Sequence, residues 1–199
     1  MDTDRPAPAT VEAAPNLDLV ICGIREIDAT LDARVTHVIS ILDPGFDESA
    51  RFAALPPENF LRLTFSDIID EAPGMELPAE GHVAAILAFG GAALSLAGHR
   101  VLIHCHMGIS RSTAAAIMLL AQHGRDPAAA VARVAEMRPI AWPNLRMIEL
   151  ADGLLELDRR LVDAVRRHHA KTIRGKNEFR DSLIRHGRGR EIDGLISTD

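Results

Sequence analysis

The segment Val101-Leu102-Ile103-His104-Cys105-His106-Met107-Gly108-Ile109-Ser110-Arg111-Ser112 leaves the chain few ways to fold. It opens as an apolar run with the length and character of a buried strand. It then passes through a short loop holding one glycine and enters Thr113-Ala114-Ala115-Ala116-Ile117-Met118-Leu119-Leu120, an alanine-rich stretch with strong helical propensity. Strand, loop and helix in that order gather backbone N–H groups and a helix N-terminus around one point, which is a seat for an anion. A cysteine aimed at that point is expected as a thiolate, because the local field is positive. Arg111, six residues on, offers a planar fork to two oxygens of the same anion. A thiolate facing a captured oxyanion is the arrangement for phosphoryl transfer through a cysteinyl intermediate.

The rest of the chain repeats the strand-and-helix alternation. Leu17 to Cys22 predicts a strand stopped by Gly23, and Ile24 to Ala33 a short helix. Val35 to Leu42 is the clearest strand, closed by Asp43-Pro44-Gly45. A short helix and a Pro-Pro loop are expected over 46–58. Phe60 to Phe65 predicts a third strand, which delivers Ser66-Asp67 at its C-terminal end. Ala79 to Ala97 carries apolar residues at helical spacing. Ser112 to His123 predicts a helix ended by Gly124, and Asp126-Pro127 an N-cap with proline in the first turn. Pro143-Asn144 opens a last long helix reaching about His168. Strands alternating with helices, followed by helices in succession, predict an α/β domain with a mainly parallel central sheet covered by helices.

Composition narrows the class. The chain has 199 residues, enough for one domain with a substantial core, expected over 17–168. Residues 1–16 hold prolines and few large apolar side chains, and are expected to be disordered, with no apolar signal core. No apolar run is long enough to span a bilayer. Two cysteines, Cys22 and Cys105, cannot build a disulfide framework, so a reducing cytoplasm is the expected compartment. The net charge of −6 is uneven: residues 166–190 hold nine Lys/Arg against two acids, or +7, leaving −13 elsewhere. The basic extension over 169–199 is thus a solvated tail, a dock for an acidic partner, or a segment that folds back on its own domain. No nucleic acid or membrane partner is expected.

Each element around the cysteine has a mechanical reason. Gly108 lets the backbone curl so that the amides of His106, Met107, Gly108, Ile109 and Ser110 turn inward. Arg111 can hold two non-bridging oxygens of a transferring group. His104 and the Ser112 hydroxyl can orient the loop and donate toward sulfur. His106 can add charge near its ordinary pKa. The alternative is a buried structural cysteine at a strand end, with Arg111 as a surface charge.

At these residues the chain resembles the cysteine-dependent protein phosphatases, and most of all their dual-specificity branch. The likeness runs over roughly 17–158. His104 to Ser112 is similar to the family signature, and Val35 to Leu42 to its "ITHVIN" strand. Asp67 resembles the family's acid-bearing loop, and Arg138 with Pro143-Asn144 its "R…PN" element. The resemblance implies a nucleophile at Cys105, a phosphate clamp at Arg111, an aspartic general acid, support from Ser112 and Asn144, and no metal or other cofactor. It implies hydrolysis of phosphotyrosine, with phosphoserine and phosphothreonine as a wider range. The substrate is then a phosphorylated protein or a small phosphomonoester. The second reading is a phosphate-binding module without turnover.

Asp67 is favoured over Asp70 as the acid, since a strand exit places one side chain reproducibly. Trp142-Pro143-Asn144 resembles the Trp-Pro-Asp acid loop of tyrosine-specific enzymes in letters only, ending in an amide that cannot donate a carboxyl proton. The chain has no tyrosine, and no lysine stands at 106, 107 or 109, which argues for a shallow pocket and against a polyphosphoinositide site. Cys22 is either a small buried strand residue or a resolving thiol. His168-His169 lacks the acid or cysteine companions of a metal pair. Asn144 either approaches the loop or caps its helix.

Overall fold

Both faces of the central strand are covered, which is why its sequence is an unbroken apolar run rather than an alternating one. That strand, β4 (Arg100–Cys105), lies between β1 (Asp18–Gly23) and β2 (His37–Leu42), and β3 (Phe60–Thr64) flanks β2. All three pairings are parallel, as the alternation of strands and helices predicts. The register sets Gly23 beside Cys105 and Ser40 beside His104. The computed structural model describes residues 17–32 and 34–195; the expected disordered stretch 1–16 lies outside the described residues.

Side-chain alternation along β4 divides the core. Val101, Ile103 and Cys105 face a large cluster built with helices, whereas Leu102 faces a small one built from Ile27, Val35, Val38 and Phe52. The large side carries α2 (Glu80–Leu94), α3 (Arg111–Gly124), α4 (Pro127–Met137), α5 (Leu145–Leu154) and α6 (Arg160–Ile173). Among the described residues the small side carries α1 (Ile27–Thr30) and a 3₁₀ turn at Ala50–Ala54. The short helix expected within 46–58 is a 3₁₀ turn, and a second such turn, Pro57–Asn59, begins in the expected Pro-Pro loop. Helix α3 touches α2, α4 and α5, and Ala114, Ala115 and Ala116 are fully buried there. Small side chains let three neighbours approach one helix. Asp126 caps α4 as expected, accepting from the N–H groups of Ala128 and Ala129 at 3.1 Å.

Two helix ends differ from expectation. Helix α3 includes Gly124, and the left-handed residue that stops it is Arg125, at φ 52°. The long helix expected from Asn144 to His168 is two helices, α5 and α6. Between them Glu156, Asp158 and Arg159 take positive φ, and Leu157 turns into the core. The break is held by the buried Asp152 carboxylate, which accepts from the N–H groups of Arg159 (2.7 Å), Leu161 (2.8 Å) and Val162 (3.1 Å). These are donors that the first turn of α6 leaves unpaired. Helical spacing of leucines hides the break, because Leu155 and Leu161 fit one continuous stripe as well as two.

The expected boundary at residue 168 lies within α6. Beyond it the chain forms α7 (Asn177–Arg185) and a 3₁₀ turn at Gly189–Glu191. Ile173, Leu183 and Ile192 pack around Trp142 in a third apolar cluster. Of the three fates open to the basic segment, folding back on the domain is the one seen. Among the described residues no helix is long and apolar enough to cross a membrane. Replacing Asp152 by alanine leaves three donors unpaired, two of them buried, and should cost about 1–3 kcal/mol of stability, read as a lower urea midpoint with an unchanged slope.

Candidate active site

The loop from His106 to Ser110 turns its carbonyls outward, and each finds a donor there. The N–H of Ile24 donates to His106 O at 3.1 Å. Arg138 donates through Nη2 to Met107 O (3.1 Å) and through Nε to Gly108 O (2.9 Å). The N–H of Trp142 donates to Ile109 O at 2.8 Å, and that of Ala114 to Ser110 O at 2.9 Å. In a planar trans peptide the N–H points opposite to the carbonyl, so the N–H groups of residues 107–111 face the loop's centre. No acceptor among the described residues takes those of 107–110. The groups outside the loop thus give it the inward set of donors that the sequence leads one to expect.

Arg138 is itself fixed. Glu26 accepts from its two terminal nitrogens at 3.0 and 2.7 Å, and also from the N–H of Gly23 at 2.7 Å. Those hydrogen bonds hold the Glu26 carboxyl below the usual range against partial burial. Gly108 has φ +67°, and a Cβ there would stand 2.6 Å from the backbone carbon of Cys22. The glycine is required twice over, by its dihedral angle and by the end of β1 against its back.

At the end of β4, Cys105 Sγ lies 3.2 Å from Ser112 Oγ. Arg111 is 2% exposed; its Nη1 donates to Asp43 Oδ1 (2.9 Å) and to Phe65 O (2.5 Å). Its Nε is buried with no partner among the described residues, a donor left for a ligand oxygen. His104 departs from expectation. It shares the small-cluster face of β4, its ring lies against Phe52, and neither nitrogen has a hydrogen-bond partner among the described residues. Burial pushes its pKa down to about 4, so it is neutral, and its place on the opposite face of β4 keeps the ring from the Cys105 sulfur. His106 accepts from the N–H of Asp43 through Nε2 at 3.2 Å. Its burial, only partly opposed by Asp43, lowers its pKa, so the charge expected of it near neutrality is diminished. Met107 is an exposed apolar rim.

Asp67 and Asp70 have different surroundings. Asp67 Oδ1 accepts from Ser110 Oγ (2.7 Å) and Asn144 Nδ2 (2.9 Å), and Oδ2 lies 3.2 Å from Arg188 Nη1. Burial pushes the Asp67 carboxyl up, but Arg188, Arg111 and the two hydrogen bonds together outweigh it and hold it below the usual carboxylate range. Asp70 is exposed and paired with Arg190 at 3.0 Å, away from the loop. Asn144 has both of the parts open to it: its Oδ1 caps α5 through the N–H of Met147, and its Nδ2 reaches Asp67.

Asp67, Cys105, Ser110 and Arg111 line a cavity of about 160 Å³. Its other wall is Trp142, Phe179, Leu183 and Arg188. Glu26, Asp43, Arg188 and Glu191 were not legible as site residues. Asp43 reads as a turn after β2, and Arg188 as one cation of a basic block. The only local signal for the latter is an acid three residues on, at Glu191. Cys22 lies on the opposite face of the sheet from Cys105, among Ile27, Val38 and Phe52. His168 bonds Ala141 O while His169 stacks on Trp142, so the histidine pair does not converge.

No protein-family model matches the chain. A stretch of 66 residues is 42% identical to the protein phosphatase Slingshot homolog 3 of Mus musculus, and 39% identical to that of Homo sapiens. That stretch is 31% of this chain and 10% of either relative's length. The PTP-2 phosphatase of Cydia pomonella superposes with a TM-score of 0.53 at 24% identity, over 69% of this chain and 86% of that one. Human DUSP28 gives 0.51 at 23% identity, over 71% and 93%. The chain has the fold of these dual-specificity-type phosphatase structures.

Burial first, then the neighbouring Glu26 carboxylate, push the Cys22 thiol up to about 12. Native protein treated with iodoacetamide at neutral pH should therefore carry no alkyl group on Cys22, and urea-unfolded protein should carry one. Peptide mass mapping reads both states.

Proposed function

We propose that this protein is a metal-independent phosphatase that hydrolyses phosphomonoesters of proteins, phosphotyrosine first and phosphoserine or phosphothreonine as a wider range, through a phosphocysteine at Cys105. The observation that carries the reading is the ring of inward amides closed by the unpartnered Nε of Arg111, with Cys105 at its base and Asp67 across it. Inward donors and a guanidinium stabilise the charge on the equatorial oxygens as the phosphoryl group transfers.

The Cys105 thiolate attacks phosphorus, the bond to the ester oxygen breaks, and that oxygen takes a proton from Asp67. Water then attacks the phosphocysteine and gives its proton to the Asp67 carboxylate. The S–P bond breaks and inorganic phosphate leaves, with the Ser112 hydroxyl donating to the departing thiolate. Asn144 and Ser110 keep Asp67 Oδ1 in place between turnovers.

The surroundings favour a phosphorylated side chain on a protein. A cleft of about 660 Å³ adjoins the small cavity, sharing His106, Met107 and Ile109 with it. Exposed Phe46, Met107 and Ile140 line it, an apolar shelf for residues beside a phosphorylated one. Turnover of p-nitrophenyl phosphate should persist in excess EDTA and vanish in Cys105→Ser. Asp67→Asn should lower kcat by about 10²–10⁴-fold. Loss of activity with chelator, or turnover by the serine variant, contradicts the mechanism. Binding of phosphopeptides with no turnover by the wild type contradicts the enzyme reading.

A further inference from the structure

The C-terminal segment enters the active site, and its purpose there is not explained by packing. Arg188 is nearly buried and is held by Glu191, which accepts from its Nε at 2.9 Å and its Nη2 at 2.7 Å. Glu191 is fully buried and also accepts from Trp142 Nε1 (2.6 Å) and from the N–H of Leu145 (3.1 Å), in the first turn of α5. Asn144, which caps that helix, donates to Asp67 Oδ1, and Arg188 Nη1 faces Asp67 Oδ2. The contacts close a circuit from Asp67 through Arg188, Glu191 and the start of α5 back to Asp67. Burying such a pair contributes little stability that apolar side chains of the same volume would not supply. Its position against one oxygen of one carboxylate is the specific thing it provides.

We propose that Arg188 is a positioning residue that fixes Asp67 Oδ2 over the catalytic cavity and governs when that oxygen carries a proton. The proposal rests on the reading of Asp67 as general acid. Ser110 and Asn144 already occupy Oδ1, so Oδ2 is the oxygen left to hold the transferable proton. Arg188 and that proton compete for it. The other charged or titratable groups facing Asp67 are Arg111 and His106 from the loop and Cys105 across the cavity, with Glu191 behind Arg188. Removing the Arg188 charge disfavours the ionised carboxylate, so Asp67 keeps its proton to higher pH. Removing the Glu191 charge acts the other way: Asp67 loses an anion from its surroundings, and Arg188 keeps Asp67 as its remaining salt-bridge partner.

The test is the alkaline limb of kcat/KM for phenyl phosphate, whose poor leaving group needs the proton, measured on the full-length chain. Asp67→Asn identifies the limb. Arg188→Gln should move it upward by about one pH unit or more, and Arg188→Lys should hold it between the two. Glu191→Gln, nearly isosteric and still able to pair with Trp142, should move it downward. A folded Arg188→Gln enzyme with the wild-type limb overturns the proposal. So does a Glu191→Gln limb that is unmoved or displaced upward, which decides the matter if Arg188→Gln does not fold. An Asp67→Asn enzyme that keeps the limb overturns instead the assignment of Asp67 as the acid, and an active Cys105→Ser enzyme overturns the phosphocysteine mechanism.

Discussion

A peptide that turns its N–H groups toward a ligand must turn its carbonyls the other way, and buried carbonyls need donors. Five consecutive carbonyls, from His106 to Ser110, meet that demand here, and most of the unusual features of the structure trace back to it. The N–H of Ile24 reaches the loop because β1 runs beside β4 and ends level with Cys105. Arg138 leaves the end of α4 to bind two carbonyls and is held by Glu26. The Trp142 backbone takes a third. Gly23 and Gly108 are where β1 and the loop pass too close for a Cβ. The inward turn of these amides is thus a property of the surrounding scaffold as much as of the loop.

The same scaffold orders the groups around the seat. Asp67 arrives from the end of β3, where a strand exit sets its direction. Ser110 and Asn144 then fix one of its oxygens, and the C-terminal segment covers the other. Trp142 links the two systems. Its backbone holds the loop and its indole holds Glu191, while its ring lies flat on the buried His169 with centroids 3.9 Å apart. Burial first, then the neighbouring His168, Arg188 and Arg166, holds the His169 pKa well below its ordinary value. A displacement of the C-terminal segment therefore bears directly on both the loop and Asp67.

Much of this was legible along the chain, and the misses have a common cause. Cys105, Gly108, Arg111 and Ser112 stand close together in sequence, and local spacing suffices to bring them to one point. Asp67 was legible because it follows a strand. Asp43, Arg188 and Glu191 meet the site only through contacts spanning 46 to 121 residues, and the i,i+3 spacing of Arg188 and Glu191 does not say what that pair faces. His104 misled for a related reason. Its place beside Cys105 in sequence puts it on the opposite face of a strand, away from the sulfur it was expected to serve. The break between α5 and α6 was hidden because a carboxylate supplied from the preceding helix stabilises it, without a proline or glycine in the turn to announce it.

By itself the sequence determined the parallel sheet, the helices that cover it and the loop joining β4 to α3, because these follow from hydrophobic periodicity and short-range backbone geometry. Only the tertiary structure decided where the basic C-terminal segment goes and what its charges meet. A run of cations is compatible with solvent, with a partner or with the domain itself. Desolvation and pairing choose among these, and both depend on groups distant in the chain: Asp67, Trp142 and the start of α5 for Arg188 and Glu191, and Asp70 and Glu149 for Arg190.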